Sequence, residues 1–312
     1  MTTCIFNEKI TLENRELLES YLDGFDYKTS GLSYTSLFMW RDINSFRWEI
    51  IGDYLCIAGV DNLDLSDDNP FMFTPLTRTG TYDPESLRFT VFEAKKRFEA
   101  LGKTFALKLV PFHMLDIYIQ AFPDGLCFEA DRPNFDYVYD TKDLIELKGR
   151  AYHSKKNHLN YFHAHYEYEY RKMLPSDAED AMTFIHEFNE RKNLEDPTER
   201  ELLRLEAIAM EDVFENLENV GYFSGVIRIG GKIEAFSVGG RLGTKTVTVH
   251  IEKANIQYRG LYQAINNEFC KHMASNVKRI NREEDMGIPG LRKAKLSYNP
   301  AKFIEKYTIN IR

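Results

Sequence analysis

The sequence predicts a mixed α/β protein of two tandem domains, residues 1–148 and 149–312, each a mainly antiparallel sheet carrying helices. Three observations lead there. At 312 residues, with 43% hydrophobic and 13% aromatic content, the chain is long enough to bury two cores of ordinary size. Both halves give the same order of elements: two helices, a hairpin, a strand, a long helix, a strand, a short helix and a strand. The first hairpin strand of each half also ends in Ile-Gly, at Ile51-Gly52 and Ile229-Gly230. A helix that crosses over between the third strand and the next makes those two strands parallel inside an otherwise antiparallel sheet.

In the first half, residues 12–22 and 33–40 read as short helices. Residues 46–51 and 54–60 form a hairpin through Gly52-Asp53, a pair suited to the positive φ angles of a tight turn. A third strand follows at 71–76. Asp83-Pro84 supplies an N-cap and a proline at the first helical position. Behind it Leu87, Val91, Ala94, Phe98 and Leu101 recur in steps of four and three, which predicts a long helix. A strand at 104–110, a short helix at 111–120 and an extended segment at 135–139 complete the half.

The second half opens after a basic, histidine-rich connector. Ser176 with Glu179, and Thr198 with Glu201, fit the capping box that satisfies free backbone donors at a helix start. The helices behind them carry Ala181, Phe184, Ile185 and Phe188 on one face, and Leu203, Ala207, Met210, Phe214 and Leu217 on the other's. A hairpin through Gly230-Gly231 joins 222–229 to 232–239. Then come a strand at 245–252, a helix at 260–273, a strand at 277–281, a helix at 289–296 and a closing strand at 302–309.

Composition excludes several classes. No run of about 18 apolar residues exists, and the N-terminal residues lack the order of a signal peptide, so a cytoplasmic location is expected. Cys4, Cys56, Cys127 and Cys270 are far apart, which predicts free thiols without a disulfide framework or zinc knuckle. The net charge of −8 argues against general nucleic-acid binding, yet it hides two basic islands. Residues 148–172 hold six Lys/Arg against two acidic residues, and 278–312 hold nine against four. Such islands are solvated faces or a route for an anionic substrate. No phosphate loop, dinucleotide fingerprint, nucleophile elbow or His-Glu-x-x-His motif occurs.

The candidate chemistry concentrates between 246 and 299. In Thr246-Val-Thr-Val-His-Ile-Glu252 polar and apolar residues alternate, which places His250 and Glu252 on one side of a strand about 7 Å apart. There the pair could serve a general base or a satisfied structural contact. Gln257, Arg259 and Gly260 open the next helix, where free N–H groups and a glycine suit an anion. Asn281, Glu283 and Asp285 precede Pro289; the carboxylates of Glu283 and Asp285 either cap that helix or hold a cationic amine. Arg292, Lys295 and Tyr298 share one side of the helix and could hold a phosphate, a carboxylate or a tRNA end. Of the connector histidines, His153, His158 and His163 step by five and do not converge, so no metal site is expected.

The segments INREEDMGIPGLRKAKLSYNPAKFIEKY, HIEKAN ahead of QYRGLYQAINNEF, and KGRAYHSKKNHLNYF together resemble the family of the phosphatidylglycerol lysyltransferase C-terminal domain. That resemblance covers nearly the whole chain. It implies two tandem acetyltransferase-like (GNAT, acyl-CoA N-acyltransferase) domains, in keeping with the repeated order. It also implies aminoacyl transfer from aminoacyl-tRNA to an amine or hydroxyl of a small molecule, lipid headgroup or peptide; Fem-type aminoacyltransferases look similar in architecture. The signature positions are Gly290, Leu291, Arg292, Lys295, Tyr298 and Pro300. An acetyl-CoA loop of this fold reads Gln/Arg-x-x-Gly-x-Gly/Ala; here Gln257 and Gly260 are followed by Tyr262, a ring that would crowd a pyrophosphate. Aminoacyl-tRNA is therefore the first expectation for the donor. Acyl-CoA, in an N-acetyltransferase, and a non-catalytic module binding a small ligand or nucleic acid are the alternatives.

Overall fold

The structure, a computed structural model, describes residues 4–60, 62, 70–192 and 196–311. In chain order the strands and helices are β1 (Glu8–Lys9), α1 (Arg15–Leu22), α2 (Tyr34–Trp40), β2 (Arg47–Ile51), β3 (Tyr54–Val60), β4 (Pro70–Met72), β5 (Leu76–Thr77), α3 (Pro84–Ala100), β6 (Leu107–Pro111), α4 (Leu115–Ala121), β7 (Leu126–Ala130) and β8 (Asp136–Asp140). Then follow α5 (Thr141–Glu146), α6 (His153–His165), β9 (Glu169–Lys172), α7 (Ala178–Arg191), α8 (Pro197–Glu215), β10 (Phe223–Ile229), β11 (Lys232–Leu242), β12 (Thr246–Ala254), α9 (Leu261–Met273), β13 (Arg279–Asn281), α10 (Pro289–Leu296), β14 (Lys302–Ile304) and β15 (Lys306–Ile311). They form two compact units: the described residues up to Phe135 together with those from Ile304 on, and Asp136–Phe303.

The first unit is built on the sheet β1-β2-β3-β4-β6-β15-β7, with β5 also on β3. Its hairpin has the expected register, Ile51 opposite Tyr54 across Gly52-Asp53. The expected third strand is two short ones, since residues 73–75 leave the ladder between β4 and β5. Asp83 caps α3 by accepting from the Ser86 N–H, and Leu87, Val91, Ala94 and Phe98 are fully buried. Leu101 falls at the C-cap and is exposed. β4 and β6 are parallel, as the crossover requires.

The second unit repeats this order as β9-β10-β11-β12-β13-β8-β14. β12 and β13 are its parallel pair. The core on one face gathers Val247 and Val249 of β12 with Leu261, Ala264, Ile265 and Phe269 of α9 and Leu159 and Phe162 of α6. On the other face Phe236 of β11 meets Phe184 of α7 and Phe214 of α8.

Position for position, the sixth strand of each sheet lies more than a hundred residues away in sequence from the strands beside it. Residues 135–139, expected to close the first domain, form β8 and pair with β13, Ile280 opposite Tyr139. The expected closing strand of the second domain breaks at Glu305; beyond it β15 lies between β6 and β7. The border therefore falls at Phe135/Asp136 rather than 148/149.

Neither expected capping box forms. Asp177, one residue past Ser176, precedes α7 and accepts from the Leu174 N–H, while Asp196 caps α8 at the Thr198 N–H. α8 buries Leu205, Ala209, Met210, Val213 and Phe214, a stripe rotated from the expected one, and Leu217 is buried beyond its end. Asp177 also accepts from both Arg171 nitrogens at 2.6 Å and from Arg228 at 2.8 Å. These bonds, Arg171's first, hold its carboxyl far below the usual range.

Two outcomes follow. Both tryptophans, Trp40 and Trp48, lie in the first unit, so their fluorescence reports on it. A chain ended at residue 303 lacks β15 and is expected to show red-shifted emission and no cooperative transition for that unit; native emission would refute this account of β15. Because the Asp177 pKa is depressed on folding, its contribution is present above the unfolded value of about 4 and lost as pH falls below it. Asp177→Asn should cost about 3 kcal/mol at pH 7, leaving two arginines without their shared carboxylate. Urea unfolding at pH 7 and pH 3 should show that the cost shrinks at the lower pH.

Candidate active site at the split between two parallel strands

β12 and β13 pair at Thr246–Arg279, Val247–Ile280 and Thr248–Asn281, and their pairing stops there. Just beyond, β12 bulges: Val249 pairs with Gly239 and Ile251 with Val238, which leaves His250 as the extra residue. A Cβ at Gly239 would lie 2.1 Å from the Thr248 carbonyl oxygen, so the bulge needs glycine opposite it. This geometry overturns the expected alternation. His250 and Glu252 leave the strand on opposite faces, because the bulge shifts the side-chain phase by one residue.

Two side-chain pairs span the separated strand ends. On the α7/α8 face His250 Nδ1 lies 2.8 Å from Glu283 Oε1, with the Tyr222 ring edge-on to the imidazole at 6.5 Å. On the α9 face Arg282 Nη2 donates to Glu252 Oε1 at 2.9 Å, and Asn266 of α9 donates to Glu252 Oε2 at 2.9 Å. Burial is the largest single influence on Arg282 and works against its charge, but Glu252, Tyr139, Tyr298 and Cys270 together outweigh it and hold the guanidinium pKa above its ordinary value. The Tyr139 and Tyr298 rings lie 5.8 and 4.9 Å from the guanidinium carbon.

The His250 side chain is fully enclosed, whereas the Glu283 side chain keeps 17% of its surface exposed. Glu283 has a φ of +58°, a left-handed conformation that costs energy outside glycine. Asn281 fixes it there: its Oδ1 accepts from the Glu283 N–H at 2.8 Å while its Nδ2 donates to buried Asp136 at 2.9 Å. The second Glu283 carboxylate oxygen has no hydrogen-bond partner among the described residues. The arrangement can accept a proton or hold an ammonium group at that oxygen.

The other sequence candidates serve the scaffold. Asp285 is fully buried and accepts from the Tyr137 hydroxyl at 2.6 Å, from Arg292 Nε and Nη2 at 2.9 and 2.8 Å, and from the Gly287 N–H at 3.0 Å. Arg292 is thus tied to a carboxylate instead of facing an anion. Lys295 is buried, and its amine donates to the carbonyls of Arg282 and Glu284. Burial pushes that amine down to about 8. It clamps the bend that carries Glu283.

Gly260 is the N-cap of α9 with φ +93°, and a Cβ there would lie 2.2 Å from the carbonyl oxygen of His158 in α6. The close approach expected for an anion is therefore taken up by helix packing. Arg259 lies 4.4 Å from the Tyr161 ring, and the Gln257 side chain is exposed while its N–H donates to Asn255. Tyr262 bonds to the Ala254 backbone, and burial raises its hydroxyl to about 12. Along α6, His165 bonds the Tyr161 carbonyl and His163 stacks on Tyr168. Among the described residues no three His, Cys, Asp or Glu side chains group closely enough to hold a metal ion, and no helix is long and apolar enough to cross a membrane.

Sequence reasoning missed Arg282 and Lys155. Lys155 of α6 places its amine 4.4 Å from the Tyr298 ring that Arg282 also approaches. The available signal was an arginine inside Asn281-Arg-Glu-Glu-Asp285, directly after a buried strand.

The sequence matches the family described as phosphatidylglycerol lysyltransferase, C-terminal, over residues 24–310. An uncharacterised protein of Mycoplasmoides gallisepticum is 26% identical over 180 residues, 56% of each chain, so this chain spans about half the length of that curated relative. A conserved protein of unknown function from Bacteroides thetaiotaomicron has a similar structure, with a TM-score of 0.84, 29% identity, and coverage of 98% of this chain and 99% of that one. L-PGS from Bacillus licheniformis gives 0.64 at 12% identity, over 98% and 93%. A tandem GNAT protein from the clavulanic acid biosynthesis pathway gives 0.52 at 8% identity, over 97% of each chain, and shares the fold.

Gly260→Ala is expected to cost about 2 kcal/mol or more, from the clash with α6 and the positive φ. Thermal unfolding without any ligand should show a fall of several degrees. An unchanged Tm would return Gly260 to the role of a ligand-approach position.

Proposed function

We propose that this chain, which belongs to the phosphatidylglycerol lysyltransferase C-terminal family, is an acyltransferase that moves an aminoacyl group from aminoacyl-tRNA to an amine or hydroxyl acceptor. One observation supports the reading most: at the split between β12 and β13 the Glu283 carboxylate is held in a strained, partly exposed position by His250 and Asn281, with one oxygen open. Strain and a buried supporting partner around an accessible carboxylate are features of a functional position.

The reaction joins the acceptor nitrogen or oxygen to the aminoacyl carbonyl carbon and breaks the ester bond to the tRNA ribose. The acceptor's proton leaves through Glu283, and the ribose oxygen takes up a proton as it departs. His250 is a positioning residue; enclosed as it is, it fixes the carboxylate through one oxygen and leaves the other for the substrate. Aligning nucleophile and ester supplies most of the rate, since such transfer needs little covalent work from the protein. The His158 carbonyl against Gly260 and the Tyr262 ring both count against an acyl-CoA pyrophosphate at that helix start. The acceptor in this reading is a lipid headgroup, peptide or small molecule that presents such an amine or hydroxyl.

A second reading, a ligand-binding module without catalysis, is favoured by the mutual satisfaction of Glu252 with Arg282 and of Asp285 with Arg292. Transfer of radiolabelled amino acid from aminoacyl-tRNA to a panel of amine and hydroxyl acceptors separates the two. The transferase reading expects product formation, lowered about 100-fold in kcat by Glu283→Gln with native Tm. If aminoacyl-tRNA binds yet no acceptor is modified, the binding-module reading stands instead.

A further inference from the structure

Arg282 and Lys155 form a cationic cluster with one donor left over. Arg282 spends Nη2 on Glu252, but its Nη1 is buried with no hydrogen-bond partner. A buried donor left unfilled is costly, by roughly 1–3 kcal/mol, so an orphan of this kind calls for an explanation. Lys155 is half-buried and bonded to no carboxylate among the described residues. Burial, and after it the charge of Arg282, lower its amine pKa.

Around the Tyr298 ring there are thus two cations and one carboxylate, Glu252. Neither phenol supplies a counter-charge, since burial raises the pKa of both Tyr139 and Tyr298. The Tyr139 hydroxyl already donates to the Lys295 carbonyl at 2.7 Å. One singly charged oxyanion would fill Nη1, balance the surplus charge and relieve the repulsion between the two cations. A doubly charged phosphomonoester would overshoot. The surface beside Lys155 extends the positive field: Arg150, Lys156 and Lys148, the last also paired with Glu146 at 2.9 Å, line a hollow of about 760 Å³ at the start of α6. A surface of that extent fits a polyanion better than a lone headgroup.

We infer that Lys155 and Arg282 form a binding site for a phosphodiester of a single RNA strand, which continues over the basic start of α6. This rests on the transferase reading only for the identity of the strand as the donor's end; the site itself is argued from its charges.

The test uses the full chain and a fluorescent RNA oligonucleotide carrying no amino acid, followed by anisotropy across a salt series, with glycerophosphoglycerol as a second probe by calorimetry. Wild type should bind the RNA. Lys155→Met should weaken it about tenfold and lower the slope of log K against log salt by about 0.7, one contact's share. Lys155→Arg should restore both, at unchanged Tm. Equal RNA binding by wild type and Lys155→Met, no binding at millimolar RNA, or Lys155-dependent binding of glycerophosphoglycerol alone would each overturn the proposal. If RNA binding depends on Lys155 but no aminoacyl transfer occurs, the transferase reading falls and the site stands. If transfer occurs and Lys155→Met leaves RNA affinity unchanged, the reverse holds.

Discussion

Each of the two sheets is completed by a strand from a distant part of the chain, and this constraint governs the rest. β15 lies between β6 and β7 in the first sheet, and β8 lies between β13 and β14 in the second. Interior strands satisfy both rows of backbone groups, so neither sheet is whole without its exchanged member. β8 also sets the site: its Tyr137 N–H and carbonyl bond the backbone of Glu283 and Arg282, and its Tyr137 hydroxyl reaches Asp285. The residues that shape the candidate site are thereby fixed from a strand more than a hundred positions earlier.

Within that frame the bulge at His250 distributes the chemistry. By shifting the side-chain phase it sends His250 to one face and Glu252 to the other, and each meets a partner just past β13. Arg282 and Glu283 alternate in the same sense, so two adjacent residues serve two different faces. One pair is enclosed around an imidazole and offers a carboxylate; the other is aromatic-lined and offers a guanidinium. A single irregularity in one strand thus separates an acidic function from a basic one across the thickness of a sheet.

Much of this was legible in the residues where the signal is local. Asp83-Pro84 and Gly260 marked helix starts, Gly52-Asp53 and Gly230-Gly231 marked hairpins, and the crossover order gave the parallel pairs. What failed was non-local or phase-dependent. Nothing in residues 136–140 or 306–311 says which sheet will receive them. The alternation of Thr246 to Glu252 is regular as written; the bulge arises opposite Gly239, whose meaning depends on the Thr248 carbonyl across the ladder. Lys295 and Arg292 looked like substrate ligands because the chain does not announce that carbonyls 282 and 284 and the Asp285 carboxylate will claim them. β7 and β9 escaped notice because edge strands with exposed faces carry little hydrophobic periodicity.

The placement of β15 also sets a timetable for synthesis. β6 emerges from the ribosome early, but the strand that covers its free edge is made only after nearly all of the second half. Through that interval the first sheet presents an unpaired edge, the kind of template on which other chains add strands. Its short length, five residues, and Pro111 at its end limit how well a foreign strand could zip onto it. The chain thus carries, in one long-range pairing, both a delay in its own maturation and a partial guard against the hazard that the delay creates.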